Sequence, residues 1–375
     1  MKSTIFAEEP EEELWRCLLK YSYKSNIKRY FKDHDIKTKE NHTDGNSFDI
    51  IADAVAGAML QASEYYSASK LVSLHVEPLM LYYGTTNLLY AMSILLSGEK
   101  INIKNHGMRI VMDKQRGYIA NTKIIFNNHQ DGGIHIYAKN LGFTKDLCSY
   151  NKKEWKLYDF IDSIAEIQED FDRCYLNRIS KIHMLDIVKT AEGIIEKVPI
   201  TEGQINIMHI EDFSKAYLRP QFITNKNDGD CLILHRKMNG KTISKYAYSG
   251  QPYLQEAHNI DNILITVPEE LNMYISLFIL GSLCRYYPDV WYPFVTQDST
   301  GEKLIVEKLL YFSRRILPNV ILNKIEGYQI VFVSNKYIPD NKIHLVGEHE
   351  IKEMVNKEIK KYIRQQQLIN AIQNG

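Results

Sequence analysis

Two blocks of helical periodicity, separated by a long stretch of different character, constrain the fold of this chain most strongly. In the first block, apolar residues recur at three- and four-residue steps over residues 47–69, which predicts a helix. The apolar stretch that follows predicts another at 76–97, with Pro78 in its first turn and Gly98 just past its end. The second block predicts two more, at residues 269–287 and 302–317, with Pro318 ending the last of them. Because each helix has an apolar face to bury, we expect the two blocks to pack into one core.

Between the blocks, short alternating or β-branched runs are divided by Gly, Asn and Asp, which is typical of strands joined by turns. The predicted strands are residues 109–113, 119–126, 133–139, 204–210, 231–236 and 262–267. One helix, at residues 155–173, is predicted to interrupt them. Elsewhere the pattern predicts a helix at 11–32, a polar loop at 38–46, a strand at 328–333 and a mixed-charge amphipathic helix at 348–372.

These elements predict an α+β fold, with a helical core built from the N- and C-terminal helices and a β-rich middle. The middle is either an insertion into the core or a sheet layered on it. The predicted parts are 1–105, the N-terminal helices; 106–267, the β-rich middle; 268–325, the C-terminal helices; and 326–375, the final strand and helix.

The charge balance gives no sign of a protein dedicated to nucleic-acid backbone. Lys+Arg and Asp+Glu both total 46, and each phosphate contact usually calls for a cation. The five cysteines are odd in number and contain no CxxC pair, which argues against a disulfide framework and a cysteine-based zinc site. Scattered thiols, an acidic N-terminus without an apolar signal region and the lack of a convincing membrane span predict a cytoplasmic protein without a membrane partner.

Three motifs occur in order along the chain. The first is Ser63-Glu64-Tyr65-Tyr66, followed by HVEPLMLYYG at 75–84 and NLL at 87–89; the second is His106-Gly107; the third is SLCRYYPDVWY at 282–292. Together these motifs resemble the YaaC-like family. The resemblance implies a paired-helix fold more than an activity, and the family's antiparallel helices look like those of HEPN-type bundles.

Arg285 is the most informative single residue, because it directly follows the apolar run 273–284. A cation in such a place needs partners, since an unpaired buried charge is costly. Two roles stay open. Arg285 either anchors a helix end or pairs with a carboxylate such as Glu77, or it contacts an anion or phosphate between aromatic rings.

Aromatic side chains accompany this arginine in two of the motifs. They are Tyr82, Tyr83, Tyr286, Tyr287, Trp291 and Tyr292. They are candidates for a base-stacking platform or for ordinary core packing. His106 is a further ligand or catalytic candidate, while Gly107 beside it suits a turn. We therefore predict ligand or phosphate binding by Arg285, His106, Tyr83 and Trp291.

HEPN ribonucleases use an Arg-x4-6-His motif, in which the two side chains stabilise the transition state and shuttle a proton without a metal. Arg29 and His34 fit this spacing, and so do Arg178 and His183. Two matches are no excess over chance in a chain of this composition. These four residues are the catalytic candidates. The alternative is that they are ordinary surface residues exposed to solvent.

Metal and nucleotide motifs are weak in this sequence. His42 and Asp44 lie alone in a predicted loop, and the Glu154-Trp155-Lys156 tripeptide downstream of Asp146 matches a nuclease pattern that also occurs on the plain C-terminal helix. Walker A, GxGxxG, HExxH and GxSxG motifs are absent. The sequence therefore predicts no metal site and no cofactor.

Two functions from different classes follow. The favoured one is a binding or regulatory module, with a bacterial stress or phage-defence system as its candidate setting, acting through a protein partner or by self-association. The alternative is a HEPN-type metal-independent ribonuclease that uses one of the two Arg–His pairs. RNA would then be the partner, and Arg285 would bind its phosphate.

Overall fold

The computed structural model of the chain describes residues 2–37, 47–112, 118–127, 131–175, 178–190, 193–199, 205–218, 220–223, 231–237 and 242–334. The α-helices are α1 Pro10–Leu19, α2 Lys24–Asp33, α3 Ser47–Ser69, α4 Glu77–Ser97, α5 Gly133–Asn140, α6 Tyr158–Ile161, α7 Gln168–Cys174, α8 Phe213–Ala216, α9 Glu269–Tyr286, α10 Pro288–Gln297 and α11 Glu302–Glu326. The strands are β1 Lys2–Ala7, β2 Met108–Val111, β3 Lys123–Phe126, β4 Ile182–Met184, β5 Asp186–Thr190, β6 Gly193–Pro199, β7 Gln221–Ile223, β8 Cys231–His235, β9 Lys245–Tyr246, β10 Pro252–Gln255, β11 His258–Ile260, β12 Ile263–Ile265 and β13 Gln329–Ser334. The α+β class predicted from the sequence is confirmed.

Helix α4 lies at the centre of the helical core, where it packs against α3, α9 and α11. Pro78 occupies its first turn and Gly98 caps its C-terminus in the left-handed conformation, as the sequence indicates. Gly84 allows the close approach of α3, because a Cβ there would stand 2.7 Å from the ring of Tyr66. The N- and C-terminal helices thus share one hydrophobic core.

By length and composition, α4 is the one described helix that could cross a membrane. However, 61% of its apolar window is buried inside the protein. Burial against other helices accounts for this apolar composition, since the core helix of a globular domain has the same character.

The buried residues of the middle region fall into two groups. Most of those between Met108 and Tyr175 join the core of the long helices. Those between Ile182 and Leu254 form two small clusters of their own. They accompany a four-stranded antiparallel sheet in the order β5-β6-β8-β7 and a three-stranded sheet in the order β4-β10-β9.

The remaining strands form three two-stranded sheets. The hairpins β2–β3 and β11–β12 are antiparallel, and β1 pairs with β13. The hairpin β2–β3 places residues 108–111 directly beyond the end of the helical core, which positions the site described below.

Several predicted elements differ in the structure. Residues 133–139, predicted as a strand, form α5, because Ile134, Tyr137 and Ala138 are buried at helical spacing. The predicted helix at 11–32 is divided into α1 and α2 by a 3-10 turn at Lys20–Ser22. Part of the predicted strand at 204–210 is a 3-10 turn at Ile207–His209.

Two further helix predictions were wrong in extent. The single helix predicted at 155–173 is two short helices, α6 and α7, with a 3-10 turn between them. Pro318 does not end α11, which continues to Glu326. Ile321, Leu322 and Ile325 beyond the proline are buried in the main core, and this burial offsets the hydrogen bond that proline removes.

The predicted loop at 38–46, with His42 and Asp44, and the predicted helix at 348–372 lie outside the described residues.

Candidate functional site

A pocket of about 310 Å³ lies where α4, α9 and β2 meet. Five aromatic side chains line it, namely Tyr82, Tyr83, Phe278, Tyr286 and Tyr287. Two arginines and a histidine line it as well, namely Arg109, Arg285 and His106. Among the described residues that form its walls there is no Asp or Glu. We call it the arginine pocket.

Arg285 reaches this pocket from the last turn of α9, where the helix dipole favours a cation. Its Nη1 donates a hydrogen bond to the hydroxyl of Tyr83, and its guanidinium lies 4.9 Å from the ring centroid of Tyr286. The residue is exposed, so water solvates its charge. The described part of the chain provides it with no carboxylate, which leaves the cation available to a ligand.

Glu77, the carboxylate considered as one possible partner of Arg285, pairs with a different arginine. Glu77 lies in the first turn of α4 and is held by Arg314 of α11 in an ion pair. Burial raises the pKa of Glu77, and the Arg314 cation opposes that rise. Because Arg314 neutralises Glu77, this carboxylate is not the partner of Arg285, and no other described carboxylate pairs with Arg285.

His106 is held in place by Tyr82 of α4, whose hydroxyl lies 2.7 Å from His106 Nδ1. Burial raises the pKa of Tyr82 well above its usual range, so the phenol keeps its proton. Burial, and then the nearby Arg285 cation, lower the pKa of His106. A neutral imidazole at pH 7 follows, and a bond from the phenol to Nδ1 favours the tautomer with its proton on Nε2.

Local backbone geometry also fixes His106. Gly107 has a φ of 74°, as the turn prediction requires, and its N–H donates to Asn105 Oδ1 at 2.7 Å. A Cβ at this glycine would stand 2.7 Å from Ile134. The turn therefore brings the histidine from the end of the helical block to the edge of β2.

The structure brings together three of the four predicted ligand residues, Arg285, His106 and Tyr83. Trp291 is instead 2% exposed and packs on Phe294 at a centroid distance of 5.0 Å, so it belongs to the core and not to the pocket wall. Sequence reasoning missed Arg109, which lies in β2 and reaches the pocket only through the folding of the hairpin.

The catalytic candidates of the ribonuclease alternative are placed less favourably. Arg29 and His34 are both exposed, and five residues along a helix separate side chains by roughly 140°. His34 Nδ1 is bound to the carbonyl of Tyr30 at 3.0 Å. Within the described residues no hydrogen bond joins Arg29 to His34.

The second Arg–His pair is separated as well. Arg178 is exposed and stacks over the ring of Tyr158, with its guanidinium carbon 3.4 Å from the centroid. His183 is buried in β4, where its Nε2 lies 2.8 Å from a carboxylate oxygen of Glu256. Each residue therefore has a structural partner of its own.

The fold and this geometry define an α+β protein with an aromatic, arginine-lined pocket at the end of its helical core. The model of the family described as YaaC-like Protein matches residues 19–325, and the chain belongs to that family. No curated protein and no solved structure matches the chain, so the likeness to HEPN bundles stays a prediction. The three motifs that resemble the family, although distant in sequence, all contribute side chains to the arginine pocket.

Proposed function

We propose that the protein is a cytoplasmic binding module of regulatory type, which holds a small anion with a planar ring in the arginine pocket. It acts through a protein partner or a second copy of itself. The observation that carries the proposal is the cation of Arg285, which has a hydroxyl partner but no carboxylate, in a pocket with no acidic residue in its described wall.

The charges of the pocket favour an anionic group. Arg285 and Arg109 both face the pocket, and His106 adds a ring nitrogen. Arginine presents a planar fork of donors that suits phosphate and carboxylate oxygens, and such charge-assisted hydrogen bonds are the stronger ones. Tyr83 holds the guanidinium from one side, which reduces the freedom that a ligand must remove.

The walls favour a planar ring. Tyr286 and Tyr287 follow Arg285 directly, and Tyr83 lies opposite on α4. A ring stacked on an aromatic side chain contributes roughly 1–3 kcal/mol in nucleobase complexes. At about 310 Å³, the pocket lies at the small end of the range for ligand sites, which suits one mononucleotide-sized molecule.

The arginine pocket also lies against the core helices that a regulatory change would move. Tyr82 contacts both His106 and the buried Tyr274 of α9, with ring centroids 5.5 and 5.7 Å apart respectively. A ligand that displaces His106 would therefore act on the packing of α4 against α9. A change in the packing of α4 against α9 would then transmit ligand binding to a protein partner.

The test is a calorimetric titration of the full-length protein with the four 5′-mononucleotides as probes. We expect at least one to bind, and Arg285→Ala to weaken its binding roughly tenfold to hundredfold, since a charge-assisted hydrogen bond contributes about 1.5–3 kcal/mol. Arg16→Ala is the matched control, because Arg16 is an exposed arginine in the last turn of another helix, α1, outside the pocket wall.

Equal binding by wild type, Arg285→Ala and Arg16→Ala would contradict the proposal, and so would the absence of binding by every probe. Cleavage of RNA in the presence of EDTA, lost in His34→Ala or His183→Ala, would favour the ribonuclease alternative instead.

A further inference from the structure

A second group of reactive side chains lies away from the arginine pocket, around α5. His135 of α5, Asp146 and Cys148 each offer one ligand atom, and these three atoms lie within 4.8 Å of one another. We propose that they form a binding site for a transition-metal ion of the zinc type, with Cys148 Sγ, His135 Nε2 and an Asp146 carboxylate oxygen as ligands.

The distances suit such an ion. Cys148 Sγ lies 3.6 Å from His135 Nε2. Tetrahedral zinc, with bonds of about 2.3 Å to sulfur and 2.0–2.1 Å to nitrogen, requires these two ligand atoms to be about 3.6 Å apart. Asp146 Oδ1 lies 3.9 Å from the other ring nitrogen, Nδ1, and one carboxylate oxygen of Asp146 lies within 4.8 Å of the ligand atoms of both other residues.

Local structure holds the ligands in this arrangement. Asp146 caps a 3-10 helix, Leu147–Lys153, by accepting a hydrogen bond from the Cys148 N–H at 3.0 Å. The carbonyl oxygen of Asn127, directly after β3, lies 2.8 Å from both His135 Nε2 and Cys148 Sγ. A metal ion that replaces the protons on Sγ and Nε2 would therefore have this carbonyl oxygen nearby as a further ligand.

The same three residues also have the order of a Cys–His–Asp catalytic group, but the thiol argues against that reading. The Cys148 thiol and His135 Nε2 both lie 2.8 Å from the carbonyl oxygen of Asn127, and each donates its proton to that oxygen, so Nε2 is not free to take the proton of the thiol. A metal ion overcomes the same obstacle, because it takes the place of the proton on sulfur.

Access favours the site too. His135 and Asp146 line a second pocket, of about 450 Å³. Asp146 is about half exposed, whereas His135 is mostly buried. An ion held by three protein ligands at the edge of a pocket keeps a coordination position open to solvent or to a ligand.

The other described group with metal-ligand chemistry, Asp159, Asp162 and His258, is a weaker candidate. His258 Nε2 is buried without a hydrogen-bond partner, but Lys153 already holds Asp159. Burial, and then the cations of Lys153 and Lys181, lower the pKa of His258, and the same cations would oppose a divalent ion. This group contains no thiol, so the experiment below separates it from the Cys148 site.

The experiment adds Co²⁺ to full-length protein that has been stripped with EDTA. A cobalt–thiolate bond gives a charge-transfer absorption in the near ultraviolet, which oxygen and nitrogen ligands do not produce. We expect the band in wild type, its loss in Cys148→Ser, and Co²⁺ affinity at least tenfold weaker in His135→Gln. Zn²⁺ added afterwards should remove the band, because it binds such ligands more tightly than Co²⁺.

Cys174→Ser is the matched control. Cys174 is half-buried like Cys148, but its thiol donates to the Thr300 carbonyl and belongs to neither metal-ligand group found among the described residues. It should keep the band. A wild-type protein that gives no band, or a band that survives in Cys148→Ser while circular dichroism shows a folded chain, would overturn the proposal.

Discussion

Two arginines in two regions of the molecule are satisfied in opposite ways. Arg236, directly after β8 of the four-stranded sheet, is mostly buried and pairs with Glu196 of β6, which is 0% exposed. Arg285, at the end of α9, is exposed, and its described partners are the hydroxyl of Tyr83 and the ring of Tyr286. The buried arginine is thus neutralised by a carboxylate of the sheet, whereas the exposed one keeps a net charge, which is the charge that we propose binds the ligand.

We expect the largest loss of stability when the buried Arg236–Glu196 ion pair is broken. Glu196→Ala removes the carboxylate that accepts hydrogen bonds from both Arg236 and Tyr217. Breaking a buried ion pair by removing one partner costs about 3–5 kcal/mol, because the other charge is left uncompensated. We expect a loss of this size in the free energy of unfolding, measured by urea denaturation.

Glu169→Ala provides the control for this prediction. Glu169 forms an ion pair with Arg173 one helical turn away, with both side chains about 70% exposed. Its loss should cost only about 0.3–0.5 kcal/mol. Similar losses in the two variants would show that burial of the Arg236–Glu196 pair has no energetic consequence.

Asp162 extends this comparison, because it is a buried acid that forms no ion pair with a described lysine or arginine, and an acid can lose its charge by taking up a proton whereas an arginine cannot. Burial raises the pKa of Asp162 to about 8 from 3.8, with Lys181 opposing the rise. The unfolded chain releases this proton at lower pH than the folded chain does. The stabilising contribution is therefore complete below about pH 4 and declines as the pH rises towards 8.

We expect the free energy of unfolding of wild type to fall between pH 6 and 8, with Asp162 contributing at most about 1.4 kcal/mol per pH unit. Asp162→Asn should remove this part of the slope, and urea denaturation at several pH values measures it. An unchanged slope in the variant would mean that Asp162 is ionised in the folded protein.

We expect the smallest loss of stability when the exposed Arg285 is removed. Arg285→Ala should change the free energy of unfolding by no more than about 0.5 kcal/mol, because the side chain is exposed and breaks no ion pair when removed. Thermal and urea denaturation without ligand measure this. A loss of several kcal/mol would place Arg285 among the structural residues, beside Arg236.

The features that were predicted from sequence depend on local pattern. Helices α3, α4 and α9 carry a long apolar periodicity, and Arg285 was singled out because a cation directly follows an apolar run. Residues 133–139 were misassigned because Ile134 and Ile136 alternate like a strand, whereas it is Ile134, Tyr137 and Ala138 that are buried. Over so short a segment, the period of a helix (about 3.6 residues) and the period of a strand (about 2 residues) place apolar residues at similar positions.

The features that were missed depend on tertiary contacts. Glu77 and Arg314 lie 237 residues apart in the sequence, and no local pattern predicts that they form an ion pair. Likewise His135 and Cys148 come from separate elements and follow no metal-ligand spacing, so only the fold places them together. Arg109 reaches the arginine pocket through a hairpin whose position the sequence does not specify.

Binding of an anion by Arg285 is tested most directly by comparing a 5′-mononucleotide with the nucleoside that lacks its phosphate, by calorimetric titration of wild type and of Arg285→Ala. We expect the phosphate to strengthen binding roughly tenfold or more in wild type and to add little in Arg285→Ala, because the phosphate and Arg285 act as a pair. An equal gain from the phosphate in both proteins would contradict this expectation, because the anion would then be bound somewhere other than at Arg285.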